Sequence, residues 1–191
     1  MDLKSLRQTL RQTRRNLTGS TQRQHALAAT QHLIRSRWLQ RPKRIAVFLS
    51  QDGELATDLL IKRLWHRGHQ VLLPIIQPKS GQLKFAEYLP NTPLVANKFG
   101  ILEPDVPLHH ALNPKVLDLV VMPLVGFDGN GNRLGMGGGF YDKTFAFKQG
   151  VKCRPHLVGW AHACQQVTSL PNQPWDVAMD ALVTETGLRL F

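Results

Sequence analysis

Short, unbroken apolar runs, separated by segments with helical spacing, constrain the fold more than any other feature. The clearest runs lie at 45–49, 71–76 and 119–123, and apolar residues recur at helical spacing over 59–65, between the first two. An apolar run without polar alternation is typical of a strand that is covered on both faces. Strands that alternate with helices therefore predict an α/β fold, a three-layer sandwich with a mostly parallel central sheet flanked by helices.

Further apolar runs complete the predicted sheet and indicate where a ligand binds. We expect strands over 84–88, 157–161 and 181–184, and an irregular Pro-rich stretch over 90–114. Ligands of such sheets bind beyond the carboxyl ends of the strands. Two predicted strand exits carry polar or glycine-rich loops, at 50–54 and 126–142.

The N-terminal section is helical and strongly basic. Leucines at helical spacing predict a first helix up to Leu17, and Ser20 or Thr21 is the expected N-cap of a second helix that is bounded by Pro42. The first 44 residues contain eleven of the 24 Lys and Arg residues but a single acid, Asp2. Such a cluster suits a nucleic-acid contact, or a small phosphorylated ligand held by a few of the cations.

Length and composition narrow the class of protein. A chain of 191 residues suits one domain, with the basic section 1–42 packed on it. The sequence has no apolar run near the roughly 20 residues of a membrane span, and its start has no apolar segment typical of a secretion signal. We therefore expect a cytoplasmic protein. Cys153 and Cys164 are expected to be reduced thiols, because their spacing fits no zinc motif.

The segment 126–142 is the most informative part of the chain, because it holds seven of the fifteen glycines. Glycines expose backbone N–H groups that can surround a phosphate, although a plain flexible loop is equally consistent with the composition. Arg133 adds a guanidinium suited to phosphate oxygens. A carboxylate at Asp142 would repel a phosphate unless a cation such as Mg²⁺ lay between them, or it would simply favour a helix N-terminus.

The same segment resembles the signature of the 5-formyltetrahydrofolate cyclo-ligase family, F-D-x-x-G-x-R-L-G-x-G-x-G-[FY]-Y-D, at every fixed position from Phe127 to Asp142. The resemblance extends over nearly the whole chain. The run 45–50 followed by Glu54 looks like the family's first strand and folate loop, and 174–177 looks like part of its C-terminal block.

The resemblance implies a reaction and its partners. 5-Formyltetrahydrofolate would be converted to 5,10-methenyltetrahydrofolate, with ATP as co-substrate and Mg²⁺ as metal. ATP would phosphorylate the formyl oxygen, and N10 would then displace phosphate. A monomer that binds neither nucleic acid nor membrane is expected.

The resemblance also implies roles for individual residues. Arg133 and Tyr141 would be catalytic, Asp142 and Asp176 would hold Mg²⁺, and the folate would contact Leu49, Glu54 and Met136. The nucleotide would contact a larger set: Arg7, Arg11, Arg133, Leu134, Gly135, Met136, Gly137, Gly138, Gly139, Phe140 and Tyr141.

Several of these residues have plainer interpretations. Leu49 also suits core packing, and Arg7 and Arg11 suit a solvated helix face. Met136 and Gly138 stand where many relatives carry basic residues.

Two alternative functions remain open from the sequence. One is a nucleic-acid-binding protein that uses the basic helices, and the other is a different phosphate-binding α/β enzyme, such as a sugar-phosphate isomerase or a CoA-transferase relative. Arg14 and Arg15 have no assigned role beyond solubility or general attraction of an anionic folate tail. His162 is the nearest candidate for proton transfer, although a core or loop histidine is the favoured interpretation.

Overall fold

A computed structural model describes residues 2–151 and 153–191 of the protein. The α-helices are α1 (Leu3–Arg15), α2 (Gly19–Ile34), α3 (Asp58–His66) and α4 (Phe140–Phe145). The strands are β1 (Arg44–Ala46), β2 (Gln70–Ile76), β3 (Leu83–Glu87), β4 (Leu94–Ala96), β5 (Leu102–Pro104), β6 (Leu119–Pro123), β7 (Gly126–Phe127), β8 (Arg133–Leu134), β9 (His156–Trp160), β10 (Ala181–Thr184) and β11 (Gly187–Leu190).

The central sheet has seven strands in the order β11-β10-β9-β6-β1-β2-β3. Its five inner strands are mutually parallel, and the edge strands β3 and β11 pair antiparallel with their neighbours. The predicted mostly parallel sheet is therefore confirmed. Apolar runs were a reliable signal here because each inner strand is covered on both faces.

The two faces of the sheet bury separate apolar cores. Val121 of β6 packs with Leu33 of α2 and Leu64 of α3 on one face. On the other face, Val120 packs with Phe145 of α4. Neighbouring residues of one strand thus serve opposite cores, which confirms the three-layer arrangement.

Helix α1 lies over the loops at the carboxyl ends of the strands. Leu10 is buried against Val125, Leu134 and Leu170. Gly126 permits this approach, because a Cβ there would lie 2.5 Å from the Leu10 Cδ1 atom. No helix in the described part of the chain is long and apolar enough to cross a membrane.

The start of α2 and the end of β1 differ from the predictions. Thr18, not Ser20 or Thr21, is the N-cap of α2, and its hydroxyl accepts the Thr21 N–H at 3.1 Å. Helix α2 ends at Ile34, well before Pro42. Strand β1 ends at Ala46, three residues before the end of the predicted run. Just beyond it, the Phe48 carbonyl accepts the Thr57 hydroxyl at 2.8 Å.

Three further elements were missed. The stretch predicted as irregular contains the hairpin formed by β4 and β5, the glycine-rich loop contains the hairpin formed by β7 and β8, and β11 follows β10 as an edge strand. Each hairpin is a separate sheet whose strands have two or three residues, too few to show a periodic pattern.

Candidate active site

A cavity of about 400 Å³ opens at the carboxyl ends of β1, β2 and β6, where the fold predicts a ligand site. Every residue assigned a site role from the sequence lines this cavity, except Arg11. The tertiary structure therefore joins 49–54 with the glycine-rich loop, α1 and the segment 170–176. The hairpin of β4 and β5 also contributes to the wall, through Ile101, Leu102 and Glu103, which the sequence did not indicate.

The glycine-rich loop forms one wall almost without side chains. Gly137 and Gly139 adopt positive φ angles of 99° and 65°, a conformation that favours glycine. Gly139 is the N-cap of α4, and a Cβ at Gly138 would lie 2.6 Å from the Phe140 ring. Met136 is 60% exposed on the cavity rim. The loop thus brings backbone close to whatever occupies the cavity.

Arg133 and Asp142 form an ion pair in the cavity wall. The Arg133 guanidinium donates to Asp142 Oδ1 at 2.6 Å and to the Val177 carbonyl. The Val177 N–H also donates to Asp142 Oδ1, at 3.1 Å. These contacts tie the glycine-rich loop to the C-terminal block and leave the guanidinium only slightly exposed.

The carboxylates of Asp142 and Asp176 keep oxygens available for a cation. Asp176 Oδ2 accepts the Gln173 N–H at 2.9 Å, and Asp142 uses only Oδ1. Among the described residues, Asp142 Oδ2 and Asp176 Oδ1 accept no hydrogen bond. Hard oxygen donors are what Mg²⁺ prefers, so the residues present fit that metal.

Glu54 and Tyr141 line the cavity in a desolvated environment. Glu54 Oε2 accepts the Gln51 N–H at 3.0 Å, and burial raises the pKa of Glu54 above its usual value. Burial also raises the pKa of Tyr141; the charge of Glu54 adds to this effect and Arg133 opposes it. The Tyr141 phenol is therefore a permanent hydrogen-bond donor at neutral pH.

Three arginines of α1 converge on Asp52 of the loop 50–54. Arg11 Nε donates to Asp52 Oδ2 at 2.8 Å, Arg14 donates to the same oxygen at 3.0 Å, and Arg15 pairs with Oδ1. Arg14 also donates to the carbonyls of Asp52 and Leu124 and is 1% exposed. We call these four residues, Arg11, Arg14, Arg15 and Asp52, the Asp52 clamp.

The Asp52 clamp corrects the interpretation of the basic N-terminal section. Arg14 and Arg15 have a structural role as ion-pair partners of Asp52, although three guanidiniums on one carboxylate leave the cluster positively charged, and Arg11 lies outside the cavity lining. Arg7, one turn earlier, does reach the cavity, where its Nε donates to the Gly135 carbonyl at 2.8 Å. In the sequence, the spacing of three and four residues places these arginines on one helix face and indicates that they act together. The spacing does not identify their acidic partner, which lies 37 or more residues further along the chain.

His162 lies away from the cavity. It is fully buried, and its ring contacts His25 of α2. A direct part in proton transfer within the cavity therefore has no geometric support.

The fold and cavity define an α/β enzyme whose glycine-rich wall, arginines and carboxylates suit a phosphorylated substrate with a divalent cation. Comparison with known proteins identifies the family. Residues 2–185 match the model of the 5-formyltetrahydrofolate cyclo-ligase family, and the chain belongs to it. The resemblance seen in the sequence is thereby confirmed.

Individual relatives agree with the family match. The chain is 43% identical to 5-formyltetrahydrofolate cyclo-ligases of Haemophilus influenzae and Escherichia coli, over 93% and 92% of its length and 95% and 96% of theirs. A solved structure of 5,10-methenyltetrahydrofolate synthetase from Aquifex aeolicus superposes with a TM-score of 0.82 at 28% identity. That superposition covers 100% of this chain and 93% of the other.

Proposed function

We propose that this protein converts 5-formyltetrahydrofolate to 5,10-methenyltetrahydrofolate in a reaction that consumes ATP and requires Mg²⁺. The observation that carries the proposal is the convergence of Glu54, Arg7 and the Arg133–Asp142 pair on one cavity, in a chain of the cyclo-ligase family.

The cavity offers complementary groups to a folate. Glu54 is a partly buried carboxylate that can accept two N–H donors, from the 2-amino group and ring N–H of a pterin. Leu49 and Met136 supply apolar contacts to flat rings. Leu49 lines the cavity and also packs against the sheet core, so a folate contact and a role in core packing are compatible.

The first chemical step activates a poor electrophile. The formyl oxygen attacks the γ-phosphorus of ATP and ADP leaves, so that the amide becomes an imidate phosphate. Arg7 and Arg133 stabilise negative charge on the phosphates, and Tyr141 donates a hydrogen bond. Asp142 and Asp176 would hold Mg²⁺, which neutralises phosphate charge when bound. Catalysis of this kind rests on positioning and charge stabilisation.

The second step closes the ring. N10 attacks the formyl carbon, the C–O bond to phosphate breaks, and the departing phosphate accepts the N10 proton. The product is the N5–C–N10 amidinium of the methenyl compound.

The direct test is an absorbance assay. Purified protein with 5-formyltetrahydrofolate, ATP and Mg²⁺ should produce the near-ultraviolet band of the methenyl product. Omission of ATP, or removal of Mg²⁺ with a chelator, should abolish it. Failure to form product under the complete conditions would reject the proposal, and product without ATP would reject the phosphorylated intermediate.

Replacing Glu54 by Gln should weaken folate binding without harming the fold. Loss of a charged hydrogen-bond acceptor costs about 1.5–3 kcal/mol, so we expect KM for 5-formyltetrahydrofolate to rise about 10–100-fold with kcat little changed.

The same variant has an expected effect on the pH dependence of stability. Because the pKa of Glu54 is raised in the folded protein, the free energy of unfolding falls as the pH increases from the pKa of the unfolded chain to that of the folded protein. Above that interval the neutral Gln should be at least as stable as the wild type.

A matched control is Glu87→Gln, since Glu87 is exposed on β3 and outside the cavity lining. It should leave KM and stability unchanged. An unaltered KM in Glu54→Gln would remove Glu54 from the folate site.

The nucleic-acid alternative rests on eleven basic residues of the N-terminal section, of which the clamp engages three. A salt titration with single- and double-stranded nucleic acid would test it, since specific use of a basic face requires a steep salt dependence. A monomer is the expected form, and sedimentation analysis would test that expectation.

A further inference from the structure

A second cluster of chemically active side chains lies outside the folate cavity. His25 of α2, His162 after β9 and Glu185 after β10 each direct one donor atom to a common point, and these atoms all lie within 4.8 Å of one another. None of the three lines the cavity described above. The proposed reaction gives them no role.

The spacing of the donor atoms resembles that of a metal centre. The Nδ1 atoms of His25 and His162 share a hydrogen bond of 2.9 Å, and His25 Nδ1 is 3.6 Å from Glu185 Oε1. In a tetrahedral zinc site with bonds of about 2.0–2.1 Å, neighbouring ligand atoms lie about 3.3 Å apart. A metal ion would therefore replace this hydrogen bond after small side-chain adjustments, and the proton would move from Nδ1 to the other nitrogen of the same ring.

The carboxylate of the cluster is held in place by the backbone. Glu185 is oriented by its other oxygen, Oε2, which accepts the Ala163 N–H at 2.9 Å. His162 Nε2, the ring nitrogen that the site does not use, has no hydrogen-bond partner among the described residues.

The cluster is also reachable. The His25 and Glu185 side chains are 20% and 15% exposed, whereas His162 is fully enclosed. An ion can therefore enter from the side of α2 and meet a preorganised imidazole.

We propose that His25 Nδ1, His162 Nδ1 and Glu185 Oε1 form a binding site for a transition-metal dication of the zinc type. Two imidazoles and one carboxylate favour Zn²⁺ over Mg²⁺, which prefers oxygen ligands alone. Three protein ligands leave a fourth position for water. Bound metal would fasten α2 to the ends of β9 and β10.

The test is calorimetric titration of chelator-treated protein with Zn²⁺ in excess Mg²⁺, which occupies carboxylate sites such as Asp142 and Asp176. We expect one Zn²⁺ per chain, and a rise in Tm of about 5–10 °C at a hundredfold excess over Kd. His25→Gln and Glu185→Gln should each weaken binding at least about 100-fold, more than the loss of an outer-sphere partner does. Both positions are partly exposed, so these variants should fold.

His66→Gln is the matched control, because His66 is an exposed histidine at the end of α3. It should bind Zn²⁺ like the wild type. Absence of binding would overturn the proposal and leave a metal-free hydrogen-bonded cluster. Binding that survives either His25→Gln or Glu185→Gln would also overturn it, because the ion would then lie elsewhere. Each result is independent of folate turnover.

Discussion

Asp142→Asn is expected to reduce kcat/KM by at least about 100-fold and to raise the Mg²⁺ concentration needed for half-maximal activity. The Asn Oδ1 atom can still accept from Arg133 and from the Val177 N–H, so the guanidinium should keep its place. What the variant removes is the negative charge that would hold the cation. Losing one preorganised electrostatic contact to a transition state commonly costs 10²–10³-fold in rate.

The measurement is initial rate in the absorbance assay as a function of Mg²⁺. Asp105→Asn provides the control, because Asp105 is an exposed carboxylate outside the cavity lining. Circular dichroism should show the same fold and nearly the same Tm for both variants. An Mg²⁺ profile of Asp142→Asn that overlies the wild type would exclude Asp142 as a metal ligand and leave it as a partner of Arg133.

Asp52→Asn is expected to lower the free energy of unfolding by about 2–4 kcal/mol at pH 7. Removing one partner of a buried ion pair leaves the other charge uncompensated, and Arg14 is almost completely enclosed. Glu54, 3.6 Å from Arg14, remains as a partial counter-charge and moderates the loss. Asn tolerates the positive φ of 57° at this position, so the backbone should not add strain.

The pH dependence gives this prediction a second readout. Burial by itself would raise the pKa of Asp52, but hydrogen bonds from Arg11 and Arg15 lower it below 3.8. The contribution of Asp52 to the free energy of unfolding is therefore complete at a pH above its pKa in the unfolded chain. It is lost as the pH falls through its pKa in the folded protein. The difference between wild type and Asp52→Asn should shrink in acid.

Urea unfolding of both proteins across this pH range is the measurement. Arg15→Gln is the control, since the Arg15 side chain is 46% exposed and an exposed ion pair contributes less than about 1 kcal/mol. If Asp52→Asn and Arg15→Gln lower the free energy of unfolding equally, the burial of Arg14 does not increase the contribution of its ion pair to stability.

The clamp also connects stability with the site. Asp52 and Glu54 belong to one loop, and Arg14 contacts both carboxylates. Release of Asp52 should therefore loosen Glu54 as well as α1. This explains why a helix with no buried position other than Leu10 and Arg14 stays docked over the cavity.

Much of the sheet was predictable from the sequence, together with just under half of the residues that line the cavity. The inner strands β6 and β10 match their predicted runs at both ends, because burial on two faces leaves them apolar except for Thr184 at the end of β10. The edge strand β11 and the separate hairpin of β4 and β5 are short, partly exposed elements without so long a run. The residues 133–142 were predicted together because the segment resembles the signature of the family, whereas its glycine content alone was equally consistent with a flexible loop.

The apolar pattern and the glycine-rich segment, both local properties of the chain, determined the α/β architecture, the family and the place of the candidate site. Tertiary structure alone decided which charges meet. Arg11, Arg14 and Arg15 have the same composition and spacing whether they face a nucleotide or solvent, and only the fold brings Asp52 between them. The same holds for His25, His162 and Glu185, because side chains 22 or more positions apart become neighbours only when sheet order and helix packing are fixed.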